Sequence, residues 1–207
     1  MIDVRPFSSL GGANHGWLNA KHHFSFSNYY DPARMSWGNL RVWNDDEIAS
    51  GTGFPPHPHS DMEIITYVRE GAITHRDSMG NLGRTEAGDV QVMSAGTGVE
   101  HSEFNHSAQD SVHFLQIWIV PAERGAAPRY QQVHVDDADK RGRLRLIIAP
   151  EGADGTLAVR QDARVYAGLF DGEESAELDV GSDRHVYVHV ARGSISVNGE
   201  RLSEGDG

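Results

Sequence analysis

The sequence predicts an all-β fold of sandwich or barrel type, and three features carry that expectation. Short runs rich in Val, Ile, Tyr and Phe recur along the 207 residues. The 23 glycines and 8 prolines punctuate those runs without forming a low-complexity block. No long stripe of helical period competes with them. β-branched runs of this length between turn residues favour paired strands.

Taken along the chain, residues 12–20 read as a short helical turn. His57-Pro58-His59 reads as extended, because proline disfavours the helical conformation of the residue before it. Glu63-Ile64-Ile65-Thr66-Tyr67-Val68 is a strand that stops at Glu70-Gly71. From Gly71 the chain passes through Ala72-Ile73 and a turn to Glu86-Ala87-Gly88-Asp89, a tight corner before Val90-Gln91-Val92-Met93. His101-Ser102-Glu103 is a short extended segment, and residues 113–120 form a strand ended by Pro121. Residues 137–141 suggest a second helical turn. Residues 143–148 alternate polar and apolar before Pro150, and residues 184–190 form a further strand ending near Gly193.

An internal repeat accompanies this order. The hairpin pattern of residues 70–89 returns at 192–206, each copy closing on Gly-Asp, and residues 62–68 correspond to 185–190. A duplicated barrel follows, with the join in the polar stretch 121–143. Residues 1–130 form the expected N-terminal domain and 131–207 the C-terminal one. The second copy stops at Gly207 where the first continues into Val90-Gln91-Val92-Met93, so the second barrel reads as incomplete, with further chain expected to complete it.

Composition narrows the chemistry. The absence of cysteine removes disulfide scaffolds, thiolate metal sites and thiol nucleophiles. Eighteen basic against thirty acidic residues give a net charge of −12, which repels phosphate backbones and argues against direct nucleic-acid binding. No signal peptide is visible at the start, and the longest apolar run, near residues 114–122, is too short to span a bilayer. A cytoplasmic protein with no membrane contact is expected.

Twelve histidines are the unusual count. Residues i and i+2 of a strand project to one face. His57 with His59, and His101 with Glu103, therefore make two pairs that can face each other across a barrel. Together they offer three imidazoles and one carboxylate, a donor set suited to iron, manganese, cobalt, nickel, copper or zinc. Glu63 is a rival carboxylate, an even number of residues from His59. His113 is expected nearest the site among the other histidines, because its strand follows closely on 101–103. His15, His22, His23, His75 and His106 read as pocket lining or surface. His185 and His189 lack a paired dyad and read as structural, so the C-terminal domain is expected to carry no metal. Phe24, Phe26, Phe54, Met93 and Phe104 lie near the dyads in sequence and could pack on a flat aromatic ring.

The stretch from Gly51 through His57, His59 and Glu63 to Gly71 resembles the first cupin motif, and Gly88, Gly96, His101 and Asn105 resemble the second. The chain departs from that motif pair by an extra residue before Gly71, by Ser94 where proline is usual, and by a longer gap between Gly96 and His101. Those departures are similar to the pirin family, as are His22-His23-Phe24-Ser25-Phe26, Tyr29-Tyr30-Asp31-Pro32, His75-Arg76-Asp77-Ser78-Met79-Gly80, Met93-Ser94-Ala95-Gly96-Thr97-Gly98 and Gln116-Ile117-Trp118-Ile119.

That resemblance implies a bicupin, two antiparallel β-barrels packed together with the metal in the first. It implies His57, His59, His101 and Glu103 as ligands, favouring Glu103 over Glu63, and iron as the first metal to test. It also implies an activity like that of quercetin 2,3-dioxygenases, with a small aromatic substrate and dioxygen as partners. A three-nitrogen, one-oxygen site on a six-coordinate metal leaves about two positions open. Glu103 is then also the expected catalytic base, releasing carbon monoxide from a flavonol such as quercetin. Two alternatives stand beside it. One is a non-catalytic iron-binding or redox-sensing protein that acts through a protein partner, as the nuclear co-regulator role of animal pirins implies. The other is a cupin enzyme acting on an unknown small acid.

Overall fold

The computed structural model describes residues 2–150, 152 and 155–207. Apart from a 3-10 turn and one four-residue helix, every regular element described is a strand. The all-β expectation holds. In order these are β1 (Gly11–Asn14), β2 (Leu18–His22), β3 (Leu40–Ile48), β4 (Gly53–His59), β5 (Glu63–Glu70), β6 (Ala72–Asp77), β7 (Leu82–Glu86) and β8 (Asp89–Ser94). They continue with β9 (Val99–Phe104), β10 (Val112–Ile119), β11 (Arg129–His134), β12 (Arg145–Pro150), β13 (Leu157–Val159), β14 (Val165–Ala167), β15 (Ser194–Val197) and β16 (Glu200–Ser203).

A seven-stranded sheet has the order β1-β2-β3-β10-β5-β8-β11, and a four-stranded sheet has the order β4-β9-β6-β7. Alternation along β5 shows how they face each other. Val68 packs with Ile73 of β6, Val112 and Phe114, and Ile64 packs with Met93 and Val99, filling the space between the two sheets. Ile65, one residue out of phase, joins Val90, Val92, Leu115 and Ile117 on the opposite face. That face is covered by Ile147 and Ile148 of β12 and by Leu157 and Val159 of β13. The large sheet is thus the middle of three layers and is apolar on both faces, as a doubly covered sheet must be.

Two expectations about elements need correction. Residues 12–20 form no helical turn; they are the β1–β2 hairpin, in register from Gly11 opposite His22 to Asn14 opposite Asn19. Leu18, Ala20 and His22 are buried while Asn19 is exposed, a period of two that the sheet rewards. The turn is set by Gly16 at φ +82°, whose N–H donates to Asn14 Oδ1 at 2.9 Å. Residues 185–190 form no strand. Their main chain bonds at Val190, through Gly205 and Asp206, and at Val186, whose carbonyl accepts from Trp37 Nε1 at 3.0 Å, while Tyr187 and His189 lay their rings against Trp43. The other helical turn does form, as α1 (Asp137–Lys140), with Lys140 buried beneath it. The two repeated hairpins also form, β6 with β7 and β15 with β16. Among the described residues, no helix is long and apolar enough to cross a membrane.

Candidate metal centre

The site is built on the inner face of the four-stranded sheet. In β4 the register against β9 slips between Phe54 and His57, a bulge that Pro55 and Pro56 occupy. Beyond it His57 and His59 share one side of the strand while Pro58 points to solvent. His57 lies directly opposite His101 on β9. One potential ligand atom from each of His57, His59 and His101 lies within 4.8 Å of the others. The ring centroids of His57 and His101 are 4.4 Å apart, and His59 stands 5.0 Å from His101.

The hydrogen bonds show which atoms are free. A carbonyl can only accept, so His57 Nδ1 donates to Pro55 O at 2.8 Å and Nε2 keeps its lone pair. The Nε2 atoms of His59 and His101 are buried without any hydrogen-bond partner. Unpaired buried nitrogens are costly, and a divalent cation is the group that three converging imidazole lone pairs fit. Burial, then the neighbouring rings of His57 and His75, lowers His101 to about 3. Burial, then His101 and His57, lowers His59 to about 4. Both rings are therefore neutral near pH 7, the form that ligates a metal.

Glu103 stands on the same inward face of β9 as His101, but its carboxylate is not part of the three-histidine cluster. It is held from the opposite sheet. Thr66 Oγ1 donates to Oε1 at 3.2 Å, Gln91 Nε2 donates to Oε1 at 3.3 Å, and Gln116 Nε2 donates to Oε2 at 2.8 Å. Glu63 is elsewhere. It shares the face of Ile65 and accepts from Ser94 Oγ at 2.7 Å, with the large sheet between it and the histidines. Its even spacing from His59 misleads because residues 60–62 turn the chain between β4 and β5.

His113 is not the histidine nearest the site. It lies on the same face of β10 as Leu115 and Ile117, and Nε2 sits 3.4 Å from Glu47. His75 takes that place, its Nδ1 3.3 Å from Nδ1 of His101. Of the five apolar residues expected near the dyads, Phe54 flanks His57 at 6.0 Å and Met93 is buried between the sheets. Phe26 reaches the site only through Trp118, at 5.4 Å. Phe104 turns outward against His106, and Phe24 packs on Tyr187. Trp118 itself, edge-on to His59 at 5.0 Å, is the aromatic that sequence reasoning missed. It shares a face of β10 with Gln116, so the i, i+2 rule that found the histidines would also have found this pair.

The sequence pattern of the family described as Pirin matches residues 3–119, and that of the quercetinase C-terminal cupin domain matches residues 146–207. A Pseudomonas aeruginosa protein provisionally named quercetin 2,3-dioxygenase is 57% identical, over 100% of this chain and 89% of its own length. A pirin-like protein of Caulobacter vibrioides is 53% identical, over 100% of this chain and 89% of its own. The crystal structure of the bacterial pirin YhhW from Escherichia coli in complex with nickel(II) superposes with a TM-score of 0.93 at 45% identity, covering 100% of this chain and 88% of that one. The chain belongs to the pirin family. Its fold is the pirin bicupin, as the resemblance in its motifs implied. In this pirin-family chain the first match ends at residue 119, so the three histidines and Glu103 all fall within it.

Proposed function

We propose that the chain is a metal-dependent dioxygenase that opens the central ring of flavonols such as quercetin and releases carbon monoxide. The observation that carries this reading is the convergence of His57, His59 and His101, with two buried and unpartnered Nε2 atoms, beside a tethered carboxylate. An Escherichia coli relative, 45% identical over 100% of this chain, bears the name quercetin 2,3-dioxygenase and supports the substrate class. In this reading His57, His59, His101 and Glu103 are the ligands, and iron is the first metal to test, with nickel beside it. Residues 1–130 are the metal-binding domain and 131–207 the second domain, whose chain packs behind the large sheet once β11 has completed that sheet's edge.

A divalent metal held there supplies Lewis acidity that lowers the pKa of a bound hydroxyl. The protein's own part is binding, orientation and proton transfer. Phe54 and Trp118, beside His57 and His59, offer aromatic faces and edges to a flat substrate. Glu103 takes the proton of the flavonol 3-hydroxyl. Its three donors leave about one of the four lone-pair sites a carboxylate offers, so ligation and proton acceptance would use that site in turn. Both atoms of dioxygen enter the products and one ring carbon leaves as carbon monoxide, so the reaction draws on no external reductant. The test is oxygen uptake and carbon monoxide release by iron- and nickel-loaded protein with quercetin. Neither gas changing, across several flavonols, overturns the assignment.

A further inference from the structure

Beyond the four proposed ligands, a second line of inward-facing groups runs along the same sheet. Asp77 lies directly opposite His101 in the β6–β9 ladder, and His75 lies opposite Glu103. The side chains of His75 and Asp77 are both wholly buried. His75 Nε2 is 2.9 Å from Asp77 Oδ2, and His75 Nδ1 is 3.3 Å from His101 Nδ1.

Only one arrangement of hydrogens satisfies both contacts with neutral rings. The carboxylate accepts, so the hydrogen of His75 sits on Nε2 and its Nδ1 carries a lone pair. His101 must then donate from Nδ1, which leaves the lone pair of His101 on Nε2. That atom is the buried one without a hydrogen-bond partner. Asp77 is itself fixed, accepting from the main-chain N–H groups of Met79 and Asn81 and from Asn81 Nδ2. The His75 ring is held flat against Tyr130, at 4.4 Å and 16° between planes. The Tyr130 hydroxyl donates to Gln91 Oε1 at 2.9 Å, and Gln91 also holds Glu103.

We propose that Asp77 and His75 are positioning residues that lock His101 in the tautomer presenting Nε2 to the metal. The proposal rests on the metal reading of the three-histidine site. It extends the familiar carboxylate–histidine–metal pattern by one imidazole, so the anchor lies two side chains behind the metal. The line also ties together both halves of the site: Asp77 and His75 set the histidine, and Tyr130 and Gln91 set the carboxylate.

Two measurements test it. The first is nickel(II) affinity by calorimetry. His75→Phe keeps the ring on Tyr130 but removes the acceptor, and it should weaken nickel binding by about 10–100-fold, the usual cost of losing such a partner. His75→Asn returns an amide oxygen near the lost Nδ1 and should recover most of the affinity. The second uses the wild-type, metal-free protein and needs no variant to fold. Ring nitrogen shifts of His101 should show a protonated Nδ1 and a bare Nε2. A hydrogen on Nε2 overturns the proposal, as does nickel binding by folded His75→Phe at wild-type strength. Wild-type protein that takes up no nickel overturns the metal reading instead, whichever tautomer His101 shows.

Discussion

Removing a ligand and altering the proposed base have different expected signatures, because the two groups are held by different neighbours. His101→Ala deletes one of three clustered imidazoles and the one in contact with His75. Its metal affinity should fall by more than the roughly 10–100-fold that loss of a supporting residue costs, with activity lost in parallel. Equilibrium dialysis against nickel checks this. Glu103→Gln keeps an oxygen for Gln116 and turns an amide nitrogen toward the Thr66 hydroxyl and Gln91 Nε2; it gives up the long Gln91 hydrogen bond but is the same size, so the variant should fold. It should retain most of its metal and lose about 10²–10⁴-fold in kcat, the span attributed to a positioned base. Metal content and turnover measured on one sample decide between the roles. Unchanged turnover would reduce Glu103 to a ligand or a structural anchor.

At the scale of the strand, the centre depends on how closely β4 lies against β9. Gly53 opens β4 opposite Phe104, and a methyl group at its Cβ position would collide with the Glu103 carbonyl. Gly53→Ala should therefore cost about 1–3 kcal/mol, as overpacking does. That is roughly 2–12 °C in Tm for a chain of this size. Nickel affinity should fall with it, because the same ladder sets His57 opposite His101; a thermal melt with and without nickel tests both. The strand scale also explains what the sequence disclosed. Alternation put His57 with His59 and His101 with Glu103, and the ladder brought the histidines together as that local rule requires. Alternation could not say that His113 faces the far layer, because the phase of a strand depends on which of two buried faces is which, and β10 is apolar on both. Nor could it reveal the clamp on Glu103. Thr66, Gln91 and Gln116 come from β5, β8 and β10 of the opposite sheet, and nothing local in the chain aligns them. Residues 12–20 misled for a related reason: Leu18 and Ala20 become buried only once β2 finds β3.

For the whole molecule, the third layer meets the middle sheet partly through groups that dislike charge. His23, on the large-sheet side, donates to or accepts from the Tyr187 hydroxyl at 2.6 Å and stands 5.1 Å from the His189 ring. Burial, then the Arg34 guanidinium, lowers His23 to about 3, against a partial opposing pull from Asp206. Burial, then His23 and Arg69, holds His189 well below its ordinary value, although Asp45 lies 3.7 Å from its Nε2. Neither ring nitrogen of His189 has a hydrogen-bond partner. The folded chain therefore keeps both rings neutral where the unfolded chain, with ordinary histidines near 6.5, takes up protons. Stability present above pH 6.5 is lost as pH falls toward the folded value, by about 1.4 kcal/mol per pH unit for each proton excluded. Buried Asp46 opposes this, since burial and the nearby carboxylates of Asp45 and Glu103 raise it well above its usual range. The difference between two proteins isolates the histidine contribution. His189→Phe fills a similar volume, sacrifices no hydrogen bond and cannot be protonated. Its urea midpoint should match or exceed that of the wild type at pH 7, and the gap should widen in its favour at pH 6 and again at pH 5. A gap that stays constant with pH would mean that His189 is not kept neutral in the folded chain, and that the contact between the layers tolerates its charge.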